Sequence, residues 1–280
     1  PSQYNPEARD ILDLKACTSA CYGRPAWKPC KHYRAFTDAN LGAQFLRRLR
    51  DDCLDLPPIT EQTISTPMSA AGRRAYNQLK RDYYTWLEDE PEALVAWSTG
   101  SRNVMLDMCT VSDWFLREDP QTPPAGGKLE CLRVDLKDRS RPTLVLAHHK
   151  RVVEACAAVA QSVGASTAYV HGGVSKTRAA ASIERFKAGK LDVLVGSLET
   201  LAEGLTLVAA DTAIFVERSY KPYRNVQARR RIHRLGQTRP VTVREYITPN
   251  SLDSRKQALL DTKTDRQMRF LSARDFAELL

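Results

Sequence analysis

Apolar and polar positions along this chain change their rhythm twice, once after Pro58 and again at Gly127. Residues 1–44 are the least regular part, interrupted by Gly23, Pro25 and Pro29. Past Leu56-Pro57-Pro58, alternation from Ile59 to Thr66 predicts a strand with one face in water. Within Ser69–Leu87, Tyr76, Leu79, Tyr83 and Leu87 recur at helical spacing, which predicts an amphipathic helix whose tyrosines pack in a core rather than stack on bases. Val104, Met105, Met108, Val111 and Phe115 predict a second helix over Arg102–Leu116, and Pro120–Gly127 reads as a flexible connection.

From Gly127 the period switches back and forth between helix and strand. Leu129, Leu132 and Leu136 line a short helix, followed by a strand at Thr143–Ala147, a helix at Arg151–Ser162 and a strand at Thr167–Val170. A helix at Thr177–Phe186, strands at Asp192–Val195 and Thr212–Val216, a helix at Tyr223–Leu235 and a strand at Val241–Ile247 complete the series. Thr143–Ala147 reads as a buried strand. The pattern predicts an α/β protein, a parallel sheet with helices on both faces, preceded by a mainly helical lead-in. The last thirty residues read as helices, with Leu252, Leu259 and Leu260 turned toward the sheet.

Charge sharpens this picture. The chain has a formal net charge of +9, and Arg218–Arg239 contains eight Lys or Arg and no Asp or Glu, so an anionic partner is favoured. No apolar run approaches the roughly 20 residues of a membrane span, and the first residues lack a signal-peptide pattern, so a soluble intracellular protein is expected. Seven cysteines, several inside periodic segments, do not resemble a disulfide framework. Cys17, Cys21, Cys30 and His32 offer four soft ligands in a short stretch, enough for a zinc ion, although the spacing suits idle or buried thiols as well.

Candidate chemistry gathers where the strands end, since ligands of open parallel sheets bind beyond the carboxyl ends. His148-His149-Lys150 follows the first inner strand and suits a phosphate or a loop-positioning role, or is a merely exposed pair. His171-Gly172-Gly173 follows the next, where glycines let a nucleic-acid backbone approach the chain's N–H groups or serve only a tight turn. Ser197 opens the segment that leads through Gly204 and Thr206 to Asp211. Gln227, Arg231 and Arg234 share one face if the helix runs to Gly236, which sets two guanidinium forks side by side, with Arg229 on the neighbouring face. A solvated basic helix is the alternative for this stretch.

Gln227–Gln237 resembles the closing motif of the Snf2 family of DNA-dependent ATPases, Gln-Ala-x-x-Arg-x-His-Arg-x-Gly-Gln. Phe45-Leu46-Arg47-Arg48 with Leu56-Pro57-Pro58-Ile59 is similar to the passage between that family's two motor lobes, and Leu146-Ala147-His148-His149-Lys150 resembles its annealing-helicase branch. Ser197, Gly204 and Leu207 match the family's Ser-Thr-Arg-Ala-Gly-Gly-x-Gly-x-Asn-Leu motif, with Thr206 for the asparagine and Leu201-Ala202 where a glycine pair is common. The resemblance runs from about Phe45 to about Tyr246 and implies a RecA-like C-terminal lobe at 127–250, a helical lead-in at 57–126, a first-lobe tail or insertion at 1–56 and C-terminal helices at 251–280. It implies Arg231 and Arg234 as arginines acting on ATP and Gln227, Gly204 and Thr206 as further nucleotide contacts. Duplex DNA would lie on His148, His149, Lys150, His171, Gly172, Gly173 and Ser197. No Gly-x-x-x-x-Gly-Lys-Ser/Thr and no Asp-Glu-x-His occurs, and in that family those elements hold ATP and Mg²⁺ in the first lobe. The expectation is therefore half of an ATP-dependent DNA translocase, inactive alone, cytoplasmic in a bacterium or phage-infected host and nuclear in a eukaryote. A non-catalytic DNA-binding or scaffold module is the competing expectation.

Overall fold

The apolar runs between Thr143 and Ile247 become the centre of one sheet. The computed structural model describes residues 54–89, 104–116, 123–201 and 205–261. Its strands are β1 Ile59–Ser65, β2 Thr143–Ala147, β3 Thr167–Val170, β4 Val193–Ser197, β5 Thr212–Phe215 and β6 Val241–Ile247. They lie in the order β1-β6-β5-β2-β4-β3, and every neighbouring pair is parallel. β2 and β4 are buried along their whole length, whereas β1, at the edge, is almost wholly exposed. The helices are α1 Ala70–Asp89, α2 at residues 104–111, α3 Gly127–Lys137, α4 Lys150–Ser162, α5 Lys176–Lys187, α6 Pro222–Arg229 and α7 at residues 252–261.

Alternate side chains of the inner strands supply two separate cores. Val145, Val193, Val195 and Ile214 pack with Leu129, Leu132 and Leu136 of α3, with Val152 and Cys156 of α4, and with Met108 and Val111 of α2. On the other face Leu144, Leu146, Leu194 and Phe215 meet Ile183 and Phe186 of α5 and Ala228 of α6. Each fully buried leucine or phenylalanine contributes about 1.5–3 kcal/mol, so the two faces together fix the register of the sheet. Asp55–Leu260 form one compact unit.

Local chemistry sets the boundaries. Ser175 caps α5 by accepting from the Arg178 N–H, and Gly189, with φ 68°, follows its end. Gly127 has φ 53°, and a Cβ there would stand 2.3 Å from the Val111 carbonyl oxygen, so only glycine lets α3 start against the end of α2.

The lead-in differs from expectation in one respect. The second helix stops at residue 111, and Asp113–Leu116 form a separate 3₁₀ turn, because Ser112 diverts the chain. Its hydroxyl donates to Ala125 O at 2.5 Å and accepts the Trp114 N–H at 3.0 Å. Tyr76 is buried as expected of a core tyrosine; its hydroxyl accepts from the Leu252 N–H at 2.7 Å, and Leu252 packs on Tyr76, Leu106 and Cys109. Leu260 is buried, but Leu259 is 52% exposed and does not face the sheet. α6 ends at Arg229 rather than Leu235, for reasons that belong to the site. No helix among the described residues is long and apolar enough to cross a membrane.

Candidate functional site

Register places three predicted loops side by side. Ala147 pairs with Ser197 and Val170 with Gly196, so the residues after β2, β3 and β4 leave the sheet at the same level. Lys150, exposed at the start of α4, lies beside the exposed Gly172-Gly173 turn, its Nζ 3.8 Å from where a Gly173 Cβ would be. His148, His149, Lys150, His171, Gly172, Gly173 and Ser197 are thus gathered at one end of the sheet, but they do not play equal parts.

His171 is buried and fully engaged. Its Nε2–H donates to Glu154 Oε1 at 3.1 Å, and its Nδ1 accepts the Gly173 N–H at 3.0 Å, so the ring builds the turn. A Cβ on Gly173 would meet that ring at 3.0 Å, whereas Gly172 opens outward. Ser197 is also buried; its hydroxyl donates to Thr200 Oγ1 at 2.8 Å and accepts the Thr200 N–H at 3.2 Å. Below it, a Cβ on Gly196 would stand 2.1 Å from Leu201 Cδ1, so the leucine at a position where glycine is common is accommodated by a glycine in the strand.

The loop after β2 is held from beneath by Glu217, which follows β5 and is buried. The backbone N–H groups of His148 and His149 donate to Glu217 Oε2 at 2.8 and 2.9 Å, and His149 Nδ1–H donates to Oε1 at 2.8 Å. Burial alone would raise the Glu217 pKa, but the His149 hydrogen bonds and charge outweigh it and hold the carboxyl well below the usual range. Burial likewise opposes a charged His149, yet Glu217 raises its pKa, while burial and the His149 charge lower that of His148. The two rings meet edge to face, with centroids 4.8 Å apart.

Behind this loop, Lys256 of α7, 1% exposed, donates to both carboxylate oxygens of Asp107 of α2 at 2.8 and 2.7 Å, and Lys128 pairs with Asp253 at 2.7 Å. One ligand atom each from Asp107, His149 and Glu217 falls within 4.8 Å of the others, which is metal-like spacing. The donor set does not fit a metal, because the Lys256 ammonium already occupies the cation position on Asp107 and the Glu217 oxygens are committed to His148 and His149. Cys17, Cys21, Cys30 and His32 lie outside the described residues; Cys109, Cys131 and Cys156 are free thiols.

The arginine motif sits at the opposite ends of the strands. Past α6 the backbone tightens into i−3 bonds, Arg231 N–H to Ala228 O and Ile232 N–H to Arg229 O, which ends the helix. His233 turns inward to donate from Nε2 to Pro57 O at 2.8 Å, just before β1, and Gln237 donates to Ala210 O at 2.8 Å, just before β5. Arg239 pairs with Asp211 at 2.9 Å. The turn therefore rests against the amino ends of β1 and β5, not beyond the carboxyl ends where the histidine loops lie. Ile232, His233 and Gln237 are buried, which leaves Arg234 exposed and Arg231 half-buried.

Arg231 grips the preceding loop. Its Nη1 donates to Leu205 O at 3.2 Å and its carbonyl accepts the Leu207 N–H at 2.9 Å, on either side of the half-buried Thr206. Burial and the Arg234 charge lower its pKa. Gln227 is exposed on α6, and Gly204 lies outside the described residues. Arg229 is not a free basic face: it pairs with the buried Glu245, which Arg218 also holds at 3.2 Å, and with Glu61 of β1 at 3.2 Å. Glu217, Asp107 and Lys256 escaped the sequence reading, the only signal being a glutamate directly ahead of the basic run that starts at Arg218.

Residues 127–236 match the family model described as helicase conserved C-terminal domain. A SWI/SNF chromatin-remodeling complex subunit of Schizosaccharomyces pombe, snf22, is 27% identical over 238 residues, covering 77% of this chain and 14% of its own length. The mouse DNA annealing helicase and endonuclease ZRANB3 is 27% identical over 220 residues, covering 78% of this chain and 20% of its own. Residues 127–236 therefore form a helicase C-terminal domain, and the relatives to which the chain is similar are Snf2-family proteins. The chain spans only a small part of their length. Its fold is that of the C-terminal part of the Fun30 ATPase domain, at TM-score 0.62 and 16% identity over 74% of this chain and 90% of that one. The Sulfolobus solfataricus SWI2/SNF2 ATPase core domain superposes at TM-score 0.62 and 16% identity, with 76% of the lobe covering 45% of that chain.

Proposed function

We propose that this Snf2 lobe binds the backbone of duplex DNA at the β2 and β3 loops and presents Arg231 and Arg234 to ATP and Mg²⁺ held by a first RecA-like lobe, in cis or in trans. As a γ-phosphoryl group transfers, charge spreads over its oxygens, and a guanidinium delivered from a second domain stabilises that state more than ground-state ATP. The observation that carries this reading is the division of labour within one motif. Ile232, His233 and Gln237 are buried and anchor the turn, while Arg234 is exposed and Arg231 half-buried in the same turn. Lys150 and the open Gly172 provide a cation and accessible backbone at the other end of the sheet, where phosphates rather than bases would be read.

Hydrolysis would then close and open the cleft between the lobes and move the protein along DNA. The absence of a phosphate-binding Walker loop from the sequence means that this chain alone should turn over no ATP. Its affinity for random duplexes should be weak, indifferent to sequence and steeply salt-dependent, since phosphate contacts release counterions. Duplex binding measured across a salt series, alongside ATP turnover by the purified chain, tests the proposal. A flat salt response, strong preference for one sequence, or magnesium-dependent hydrolysis that persists through purification would overturn it.

A further inference from the structure

A buried carboxylate directly beneath a phosphate-binding loop is an unexpected placement, because its charge opposes that of the ligand. Glu217 is nevertheless satisfied three times over by consecutive residues: two backbone N–H groups on Oε2 and the His149 ring on Oε1. A carboxylate only accepts, so His149 commits its Nδ1–H to Glu217 and keeps Nε2 on the ring edge away from it. We propose that Glu217 is the positioning residue of the β2 loop, fixing its backbone and the orientation of His149 so that Nε2 and the neighbouring Lys150 ammonium are presented together to one nucleic-acid phosphate.

This rests on reading the loop as a phosphate contact. The charged groups facing His149 are Glu217 after β5, Asp107 of α2, Lys256 of α7 and the adjacent His148. Lys256, bound to Asp107 and to the Arg218 carbonyl beside Glu217, offsets the carboxylates from behind, so the front of the loop keeps its positive character. In that arrangement a protonated His149 donates from both nitrogens, to Glu217 within the protein and to phosphate outside it. A helix start is thereby converted from a loose basic loop to a fixed two-donor seat.

The test uses the full chain, a short random duplex as probe, and long-range ¹H–¹⁵N spectra of the imidazoles, with His149→Ala assigning the His149 signals. Glu217→Gln keeps the shape but loses the charge, and should weaken binding roughly tenfold, the worth of one charge-assisted hydrogen bond. It should also shift the His149 ring signals and the pH at which they titrate downward. In a His149→Ala background the same substitution should cost no further affinity, a result that a merely structural role for Glu217 would not produce. If Lys150→Ala and His149→Ala both bind the duplex as the unsubstituted chain does, the loop reading fails and the proposal with it. If those variants weaken binding while Glu217→Gln changes neither affinity nor ring signals, or its loss simply adds to that of His149→Ala, the positioning role alone is overturned. Should Glu217→Gln not fold, Glu217→Asp, which keeps the charge but cannot span all three donors, is read by the same two measurements and the same outcomes.

Discussion

Replacing Lys256 with methionine should unfold this lobe more easily in a way that depends on pH. Lys256 is 1% exposed and holds both oxygens of Asp107, which is itself 3% exposed. Methionine fills similar space but strands the carboxylate, and breaking a buried pair from one side costs about 3–5 kcal/mol. An independent bound comes from protonation. Burial already raises the Asp107 pKa against the opposing pull of Lys256, so the stranded group will take up a proton rather than stay charged. Protonating a carboxyl whose unfolded pKa is about 3.9 costs about 4 kcal/mol at pH 7 and about 1.5 kcal/mol at pH 5. For a unit of this size 1 kcal/mol corresponds to about 2–4 °C in Tm, so the loss should be about 8–16 °C at pH 7 and about 3–6 °C at pH 5. Circular dichroism melts of the two proteins at both pH values measure it. Adding Asp107→Asn should recover much of the loss and remove its pH dependence. A Lys256→Met protein that melts within about 2 °C of the parent at pH 7, or a deficit equal at both pH values, refutes the reasoning.

Three further outcomes are expected. Gly196→Ala should destabilise by more than the about 1–3 kcal/mol usual for overpacking, because its Cβ would stand 2.1 Å from Leu201 Cδ1; adding Leu201→Ala should restore part of the stability, and no rescue would show that Leu201 is not what the methyl group meets. His149 has a raised pKa, so its contribution is complete below its unfolded value of about 6.5 and is lost as pH rises through the folded value. The stability gap between the parent and His149→Ala should therefore narrow from pH 6 to pH 9, and a widening gap contradicts the pairing with Glu217. Arg229→Ala should destabilise by about 1–3 kcal/mol in urea unfolding, since it removes a partner from the buried Glu245, and an unchanged midpoint would return Arg229 to the free basic surface.

Much of the sheet was legible in the rhythm of its strands: Thr143–Ala147, Thr167–Val170 and Val241–Ile247 coincide with β2, β3 and β6. The arginine helix was overextended because Gln227, Arg231 and Arg234 keep helical spacing, whereas the backbone there obeys two long-range hydrogen bonds, His233 to Pro57 and Gln237 to Ala210. Local periodicity cannot register such partners. The same blindness made Arg229 look like open basic surface when its carboxylates come from β1 and β6. Asp107, Glu217 and Lys256 are unremarkable charges in the sequence, and only folding brings them together beneath the histidine loop. Motif spacing did locate the histidines, glycines and Ser197 at one end of the sheet, but it could not separate outward-facing Lys150 and Gly172 from His171 and Ser197, whose polar atoms are spent inside the protein.

The most direct test of this account pairs the chain with a first RecA-like lobe, as a longer polypeptide or as two mixed chains, and measures DNA-stimulated ATP hydrolysis of Arg231→Ala and Arg234→Ala. Loss of an arginine finger typically lowers turnover roughly a thousandfold or more. Each variant should lose most of its turnover while nucleotide affinity and duplex binding stay within a few fold, and lysine should rescue poorly because it lacks the planar fork. Arg231 also holds Leu205 and Leu207, so Arg234, exposed and outside that contact, gives the cleaner reading. Normal hydrolysis by Arg234→Ala in the reconstituted motor would contradict the assignment and leave the motif as a basic turn on a DNA-binding or scaffold module.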